Sequence, residues 1–201
     1  EKEAGRIKRL GFSFHGDLEL FKYILDKDQW DFVLLQINYI DWVDQNAEAL
    51  YKELESRGIQ CMVMEPLKGG ALASLTPDAD AILKEAAPDK SVASWAFRYV
   101  GSLPNVLTVL SGMTEMEHLK DNLSTFGNFK PLSAEEKVVL DKAIAEFRRY
   151  AQIGCTACRY CMPCKYGVDI PAVFAAYNKC VKESNIPDMK GPRDGKFEKK
   201  K

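Results

Sequence analysis

The stretch Phe32-Val33-Leu34-Leu35-Gln36-Ile37-Asn38 decides the fold. Its apolar residues follow one another almost without alternation, as expected for a strand that is buried on both faces of a parallel sheet. Strand-like and helix-like segments alternate on both sides of it, and this alternation predicts parallel βαβ units. We therefore expect an α/β fold with four βα units in residues 1–130.

The remaining elements follow from apolar spacing and from residues that begin or end helices. The predicted strands are Ile7–Phe14, Phe32–Asn38, Gln60–Pro66 and Val106–Ser111. The predicted helices between them are Leu18–Leu25, Asn46–Arg57, Ser91–Val100 and Glu115–Leu123. Asp17 is expected to cap the first helix, and Gly58 to end the second in the left-handed conformation that suits glycine. No G-x-G-x-x-G fingerprint of a dinucleotide-binding Rossmann fold follows a strand.

Two pairs of residues have the spacing of capping boxes, which open helices. Thr114 with Glu117 predicts the start of the helix after the fourth strand. Ser133 with Glu136 predicts a second helix, whose apolar spacing continues to Tyr150. This second helix leads directly into a cysteine-rich segment.

After the cysteines the chain returns to a helix and then to a polar tail. Asp169 as N-cap with Pro171 in the first turn predicts a helix that runs to about Cys180. Glycine, proline and lysine dominate the end of the chain, as in a solvated tail. We expect three parts: 1–130 as the α/β part, 131–189 as a helical linker with a cysteine module, and 190–201 as a flexible tail.

Composition excludes several classes of protein. The 201 residues are 46% hydrophobic and 28% charged, as in a soluble globular protein. Lys and Arg total 28 and Asp and Glu total 29, so nothing in the net charge favours binding to nucleic acid or to acidic lipid. No apolar run reaches the length of about 18 residues that a membrane span needs. We expect a cytoplasmic protein, and the start Glu1–Gly5, without Met or a signal peptide, suggests a fragment of a longer chain.

Five of the six cysteines lie within 26 residues, and four of them form the motif C-x2-C-x2-C-x2-C. The four are Cys155, Cys158, Cys161 and Cys164. Thiols three residues apart are poorly placed to pair as disulfides, so metal ligation is the better interpretation. The isolated Cys61 lies in an apolar run and is expected to be a small buried residue.

Even spacing within one loop favours a [4Fe–4S] cluster over zinc, which usually takes two separated Cys-x2-Cys pairs. The bacterial ferredoxin run is C-x2-C-x2-C-x3-C-P. Here the last gap is shorter and Lys165 stands in the position of the proline. Cys164 or Cys180 would be the fourth ligand of a single cluster. Zinc and unligated thiols remain alternatives.

Several motifs in order resemble the C-terminal half of an aldo/keto reductase, in the subfamily that carries a ferredoxin-like 4Fe–4S module. They are Ile7–His15, Phe32–Tyr39, Met64–Gly70, Leu110–Asn122 and Cys155–Cys164, the last followed by the string GVDIP. The resemblance implies a partial TIM (β/α)8 barrel that supplies the fifth to eighth strands. It also implies that the family's catalytic Asp, Tyr, Lys and His lie outside this chain. Half a barrel leaves two sheet edges open, so the fragment is expected to open, to dimerise through these edges or to misfold.

The same resemblance implies residues that hold the nicotinamide ring. Ser13 and Gln36 match the family's ligands of the carboxamide, and both side chains can hydrogen-bond an amide. Phe14 stands where the family usually has asparagine, and Met64 where it often has an aromatic ring. His15, at the same strand end, is a weak candidate for a catalytic role.

Further residues match the family's adenosine-binding segment. Asp121 and Asn122 match positions that contact adenosine, and Met113 belongs to the same motif. Gly112 and His118 stand where the family places cations against the 2′-phosphate of NADP. Because a 2′-phosphate lacks its usual Arg or Lys partner here, the sequence favours NADH over NADPH.

The resemblance as a whole implies an oxidoreductase that acts on a small carbonyl or alcohol substrate with a nicotinamide cofactor. A hydride carries two electrons and a cluster carries one, so a flavin or a redox partner protein is not excluded. Two alternatives stay open: a non-catalytic electron-transfer protein, and a zinc-stabilised binding protein on a borrowed barrel.

Overall fold

A computed structural model describes residues 1–149, 153–155 and 157–182. Tyr150 and the tail predicted for 190–201 lie outside the described residues. The described strands form one sheet: β1 (Gly11–Phe14), β2 (Phe32–Gln36), β3 (Gln60–Met64) and β4 (Val106–Val109). They lie in chain order and each adjacent pair is parallel, which confirms the predicted α/β arrangement.

Eight helices occur in the described part of the chain. They are α1 (Leu18–Leu25), α2 (Asp41–Asp44), α3 (Ala47–Arg57), α4 (Pro77–Ala86), α5 (Val92–Gly101), α6 (Met116–Phe126), α7 (Ala134–Arg148) and α8 (Ile170–Lys182). The Asp17 carboxylate accepts a hydrogen bond from the backbone N–H of Leu20 at 2.9 Å, and Gly58 ends α3 at a φ of 67°. Both predicted boundaries are confirmed, as is the capping box of Ser133 and Glu136.

Several predicted boundaries are wrong. The strands β2, β3 and β4 each end two residues before the predicted end, at Gln36, Met64 and Val109, and α6 continues beyond Leu123 to Phe126. The first strand begins at Gly11 and not at Ile7, since the backbone N–H of Leu10 donates to the Asp31 carboxylate at 2.7 Å and not to a neighbouring strand. Helix α6 is not opened by Thr114. Glu115 is still extended, with φ −114° and ψ 151°, and it forms the capping box with the third helical residue.

Helices α1 and α3 cover one face of the sheet. Val33, Leu35, Cys61 and Val63 are buried on that face and pack into a core with α1 and α3. A second core joins α4, α5 and α7, and Trp95 is its largest fully buried side chain. Helix α7, predicted as part of the linker, shares this second core. The predicted domain boundary at residue 130 stays a prediction.

The opposite face of the sheet is much more open. Ser13, Leu34, Met62 and Thr108 lie at the same level across the four strands, and each is half-buried or exposed. In the described part of the chain β1 and β4 have one neighbouring strand each, so the sheet has two edges. Dimerisation through these edges stays a prediction. None of the described helices is long and apolar enough to cross a membrane.

Candidate functional site

A cleft of about 610 Å³ lies at the carboxyl ends of β3 and β4. One wall is the loop Glu65–Gly70 that follows β3, and the other is the segment Leu110–Gly112 with the first turns of α6. We call it the strand-end cleft. Ligand sites of parallel α/β folds occupy this end of the strands, because the βα loops converge there.

Four of the predicted adenosine-site residues line the strand-end cleft: Gly112, His118, Asp121 and Asn122. Met64, the predicted substitute for an aromatic ring, also lines it. The remaining residue of the motif, Met113, is exposed and is not part of the lining. At Gly112 an added Cβ would meet no atom within 4 Å, so this position faces open space.

Two serines that sequence reasoning missed fix the polar residues of α6. Ser91, the N-cap of α5, donates its hydroxyl proton to the Asp121 carboxylate at 2.5 Å. Asn122 Nδ2 donates to Ser111 Oγ at 3.0 Å. These bonds tie the first turns of α6 to α5 and to the end of β4, so both side chains are held at the cleft wall.

Negative charge gathers around the start of α6. Glu115 and His118 form the capping box, in which the His118 ring Nδ1 accepts from the Glu115 backbone N–H at 3.4 Å. The Glu115 carboxylate therefore occupies the positive end of the helix dipole, where an anion would otherwise bind. The described lining of the cleft contains the carboxylates of Glu65 and Asp121 and no Lys or Arg. A phosphate group in addition to a bound diphosphate would find no cationic partner in the described lining.

The predicted nicotinamide ligands lie on the open face of the sheet. Ser13 pairs with Leu34 and Gln36 pairs with Met64, so both point to the same face. Neither belongs to the lining of the strand-end cleft, although Met64 does. His15 follows β1 and is exposed.

Gln36 belongs to a buried polar cluster that the sequence did not indicate. Its Nε2 donates to the carboxylate of Asp41 at 2.7 Å, and Asp41 is wholly buried. Lys68, from the loop after β3, forms an ion pair with the same carboxylate. A buried carboxylate is tolerated only with such partners, because its desolvation is costly.

The cysteine segment faces the end of α7 and the loops after β2 and β3. A cavity of about 400 Å³ separates them and is lined by Asp41, Lys68, Arg148 and Cys155, among others. The side chain of Asn178 on α8 fixes the segment by reciprocal bonds to the backbone of Ile153, at 2.9 and 2.8 Å.

Backbone amides point at two of the cysteine sulfurs. The N–H of Ala157, a residue with φ 56°, donates to Cys155 Sγ at 3.4 Å. Hydrogen bonds from the backbone N–H groups of Tyr166 and Val168 lower the pKa of the Cys164 thiol. Such donors favour thiolates, the form in which cysteine binds metal. Among the described residues, however, no three His, Cys, Asp or Glu side chains come together in a way that could hold a metal ion.

Cys61 is confirmed as a buried residue, with no exposed surface. Burial raises the pKa of its thiol to about 12. It is therefore a neutral core residue at physiological pH.

The model of the aldo/keto reductase family matches residues 1–145. Because this match covers more than two thirds of the chain, the protein belongs to the aldo/keto reductase family. No curated protein matches the chain.

Solved structures of aldo-keto reductases have the same fold over this region. The chain is similar to the holo form of an aldo-keto reductase from Bacillus halodurans, at 23% identity and a TM-score of 0.57, over 71% of this chain and 52% of that chain. It is similar to an aldo-keto reductase from Klebsiella pneumoniae in complex with NADPH, at 20% identity and a TM-score of 0.54, over 70% of this chain and 49% of that chain. The chain spans about half the length of these structures, and its parallel sheet corresponds to part of their barrel.

Proposed function

We propose that this chain is the cofactor-binding part of an oxidoreductase that transfers hydride between a nicotinamide cofactor and a small carbonyl or alcohol. The observation that carries the proposal is the strand-end cleft, which brings four of the predicted adenosine-site residues together. The similar structure from Klebsiella pneumoniae is that of a complex with NADPH. Family membership and cleft position support the same class of ligand.

Each part of the cofactor has residues that suit it. Asp121 and Asn122 offer a carboxylate and an amide to the adenosine, and Gly112 leaves room for it. Ser13 and Gln36 suit the carboxamide, since both can hydrogen-bond an amide group. The cofactor supplies the hydride when it is bound. This chain's residues bind and orient it, and the residues that activate the substrate are expected in the other half of the barrel.

The electrostatics favour NADH over NADPH. A 2′-phosphate beside the start of α6 would meet the Glu115 carboxylate, and the described lining of the cleft has no Lys or Arg to pair with it. The negative charges of the phosphate and the carboxylate repel each other, and this repulsion opposes the binding of NADPH. The variant Glu115→Ser keeps an N-cap and removes the charge, so we expect it to bind NADPH several-fold more tightly with NADH affinity unchanged. An unchanged NADPH affinity would contradict this role for Glu115.

An equilibrium titration of the protein with NADH, measured by calorimetry, tests the proposal. At Gly112 the Cβ of a new side chain would meet no atom within 4 Å, so we expect the ring of Gly112→Phe to occupy the cleft and to weaken NADH binding at least tenfold. Met116→Phe, at an exposed position at the start of α6 and outside the cleft lining, is the matched control and is expected to bind normally. Equal affinities of the two variants would contradict binding in the cleft.

We further propose that the cysteine segment holds a [4Fe–4S] cluster that exchanges single electrons with a partner protein. The motif spacing and the backbone donors aimed at Cys155 and Cys164 support this. In the described arrangement the thiols do not converge, so no step of the reaction is derived through a cluster. Ligation would require the loop to close around the metal.

Anaerobic reconstitution with iron and sulfide tests the cluster. We expect a brown protein that contains about four iron atoms. The variant Cys158→Ser should reduce the iron content, whereas Cys61→Ser should leave it unchanged. A colourless protein that retains a single zinc ion would instead support the zinc-stabilised binding module.

A further inference from the structure

A polar cluster lies at the end of β2 and consists of Gln36, Asn38, Asp41, Gln45 and Lys68. Its centre is the carboxylate of Asp41, which has no exposed surface. Gln36 Nε2 and Asn38 Nδ2 donate to one carboxylate oxygen, each at 2.7 Å. The other oxygen accepts from Gln45 Nε2 at 3.2 Å and from the ammonium group of Lys68.

This arrangement fixes which way the amide of Gln36 faces. A carboxylate can only accept hydrogen bonds, so the nitrogen of the Gln36 amide must face Asp41. The carbonyl oxygen of the same amide is thereby directed away from Asp41. A glutamine without such a partner could present either atom, since the two ends of an amide have nearly the same shape.

The carboxylate that orients Gln36 is itself held on several sides. Asn38 Oδ1 accepts from the backbone N–H of Asp41 at 2.8 Å, and Asn38 Nδ2 also donates to the carbonyl oxygen of Glu65 at 3.0 Å. Lys68 reaches Asp41 from the loop after β3. Glu65 and Lys68 both have positive φ, 55° and 48°, which non-glycine residues adopt only when their surroundings impose it. The cluster thus joins the end of β2 to the loop that forms one wall of the strand-end cleft.

We propose that Asp41 is a positioning residue for the nicotinamide cofactor. By taking up the N–H of the Gln36 amide, it leaves the Gln36 carbonyl oxygen to accept an N–H from the nicotinamide carboxamide. Lys68 keeps the buried carboxylate paired, and so keeps this orientation constant. The inference rests on the proposed function, because it assigns a determinant of binding to the same site.

A positioning role differs from a purely structural one in what it does to two related ligands. The 3-acetylpyridine analogue of NADH carries a ketone in place of the carboxamide and has no N–H to donate. A correctly oriented Gln36 therefore distinguishes the two cofactors by one hydrogen bond, which corresponds to about tenfold in affinity. General damage to the fold would weaken the binding of both cofactors by the same factor.

The test compares the two dissociation constants by calorimetry in three proteins. Wild type and Asp44→Asn are expected to bind NADH about tenfold more tightly than the analogue. Asp44 lies on the same short helix but pairs with Arg148 at the surface, which makes it a matched control. In Asp41→Asn the Gln36 amide loses its fixed orientation, and the ratio is expected to fall to about one. A ratio that stays at the wild-type value in Asp41→Asn overturns the proposal.

A measurement without cofactor separates this inference from the proposed function. In the free wild-type protein, NMR is expected to find the side-chain amide protons of Gln36 shifted downfield and protected from exchange by Asp41. Freely exchanging amide protons would overturn the positioning role even if Asp41→Asn does not fold. Protected amide protons in a protein that binds neither cofactor would instead support the orientation by Asp41 and contradict the proposed function.

Discussion

Arg98 of α5 and Glu136 of α7 form a bidentate ion pair, with both N–O distances at 2.6 Å. Arg98 also donates to the carbonyl oxygens of Lys130 and Pro131 in the connection that precedes α7. The guanidinium group therefore fastens α7 to α5, and the cysteines follow α7 in the chain. Two parallel charge-assisted hydrogen bonds are among the stronger polar contacts of a protein.

This ion pair predicts a pH dependence of stability. The Arg98 guanidinium lowers the pKa of Glu136 below its ordinary value of 4.5. A lowered pKa in the folded state stabilises the fold above the ordinary pKa, and this stabilisation is lost as the pH falls through the folded value. We expect Arg98→Met to lower the free energy of unfolding by about 1–3 kcal/mol at pH 7. The difference from wild type should shrink at pH values well below 4.5, as measured by urea unfolding. A constant difference would contradict this account.

The buried pair of Lys68 and Asp41 predicts a large effect of removing one charge. Lys68→Met leaves the Asp41 carboxylate buried without its ion-pair partner, so we expect a loss of about 3–5 kcal/mol in the free energy of unfolding. Lys52→Met removes the lysine of an exposed pair with Glu48 and should cost under about 1 kcal/mol. Equal losses in the two variants, measured by denaturant unfolding, would show that the buried pair has no special role.

Two buried tyrosines predict opposite effects of the same substitution. The hydroxyl of Tyr39 is buried and finds no hydrogen-bond partner among the described residues. The hydroxyl of Tyr51 accepts from the backbone N–H of Asn105 at 2.8 Å. Tyr39→Phe removes an unsatisfied polar group, so it should raise the free energy of unfolding by about 1 kcal/mol. Tyr51→Phe breaks a hydrogen bond and should lower it by a similar amount. Thermal unfolding of both variants measures whether each substitution raises or lowers the free energy of unfolding. A loss of stability in Tyr39→Phe would contradict the prediction.

The cysteines predict a difference in chemical reactivity. Cys61 has a pKa of about 12 and no exposed surface, so an alkylating reagent should reach it only after unfolding. Cys158 and Cys161 are exposed and should react in the folded, metal-free protein. Peptide mass spectrometry after timed alkylation measures each rate. Labelling of Cys61 as fast as that of Cys158 would mean that β3 opens readily.

Local patterns were sufficient to predict much of the fold. The apolar run at Phe32 identified a buried parallel strand, and the caps at Asp17, Gly58 and Ser133 fixed three helix ends. Each of these depends on residues close together in the chain. Helix α4 was missed although Pro77 opens it and acidic residues follow in its first turn, which are the usual marks of a helix start.

Long-range contacts could not be predicted in the same way. Asp41 resembles a surface charge in the sequence, and its partner Lys68 lies 27 positions further along the chain. The start of α6 was assigned to Thr114 because the spacing to Glu117 fits a capping box, but the extended backbone of Glu115 moves the box by one residue. The resemblance named four residues that line the strand-end cleft, and their role in binding a cofactor stays a prediction. The serines that hold Asp121 and Asn122 are visible only in the packing.

Hydrogen exchange with and without NADH tests the central claim most directly, because it locates the cofactor on the chain. We expect slower exchange of the backbone amides that line the strand-end cleft, at Gly69, Gly70, Ser111 and Gly112. The amides of α3, on the far side of the sheet, should be unchanged. Slower exchange confined to other segments, or none at concentrations where NADH binds, would contradict the assignment of the cleft as the cofactor site.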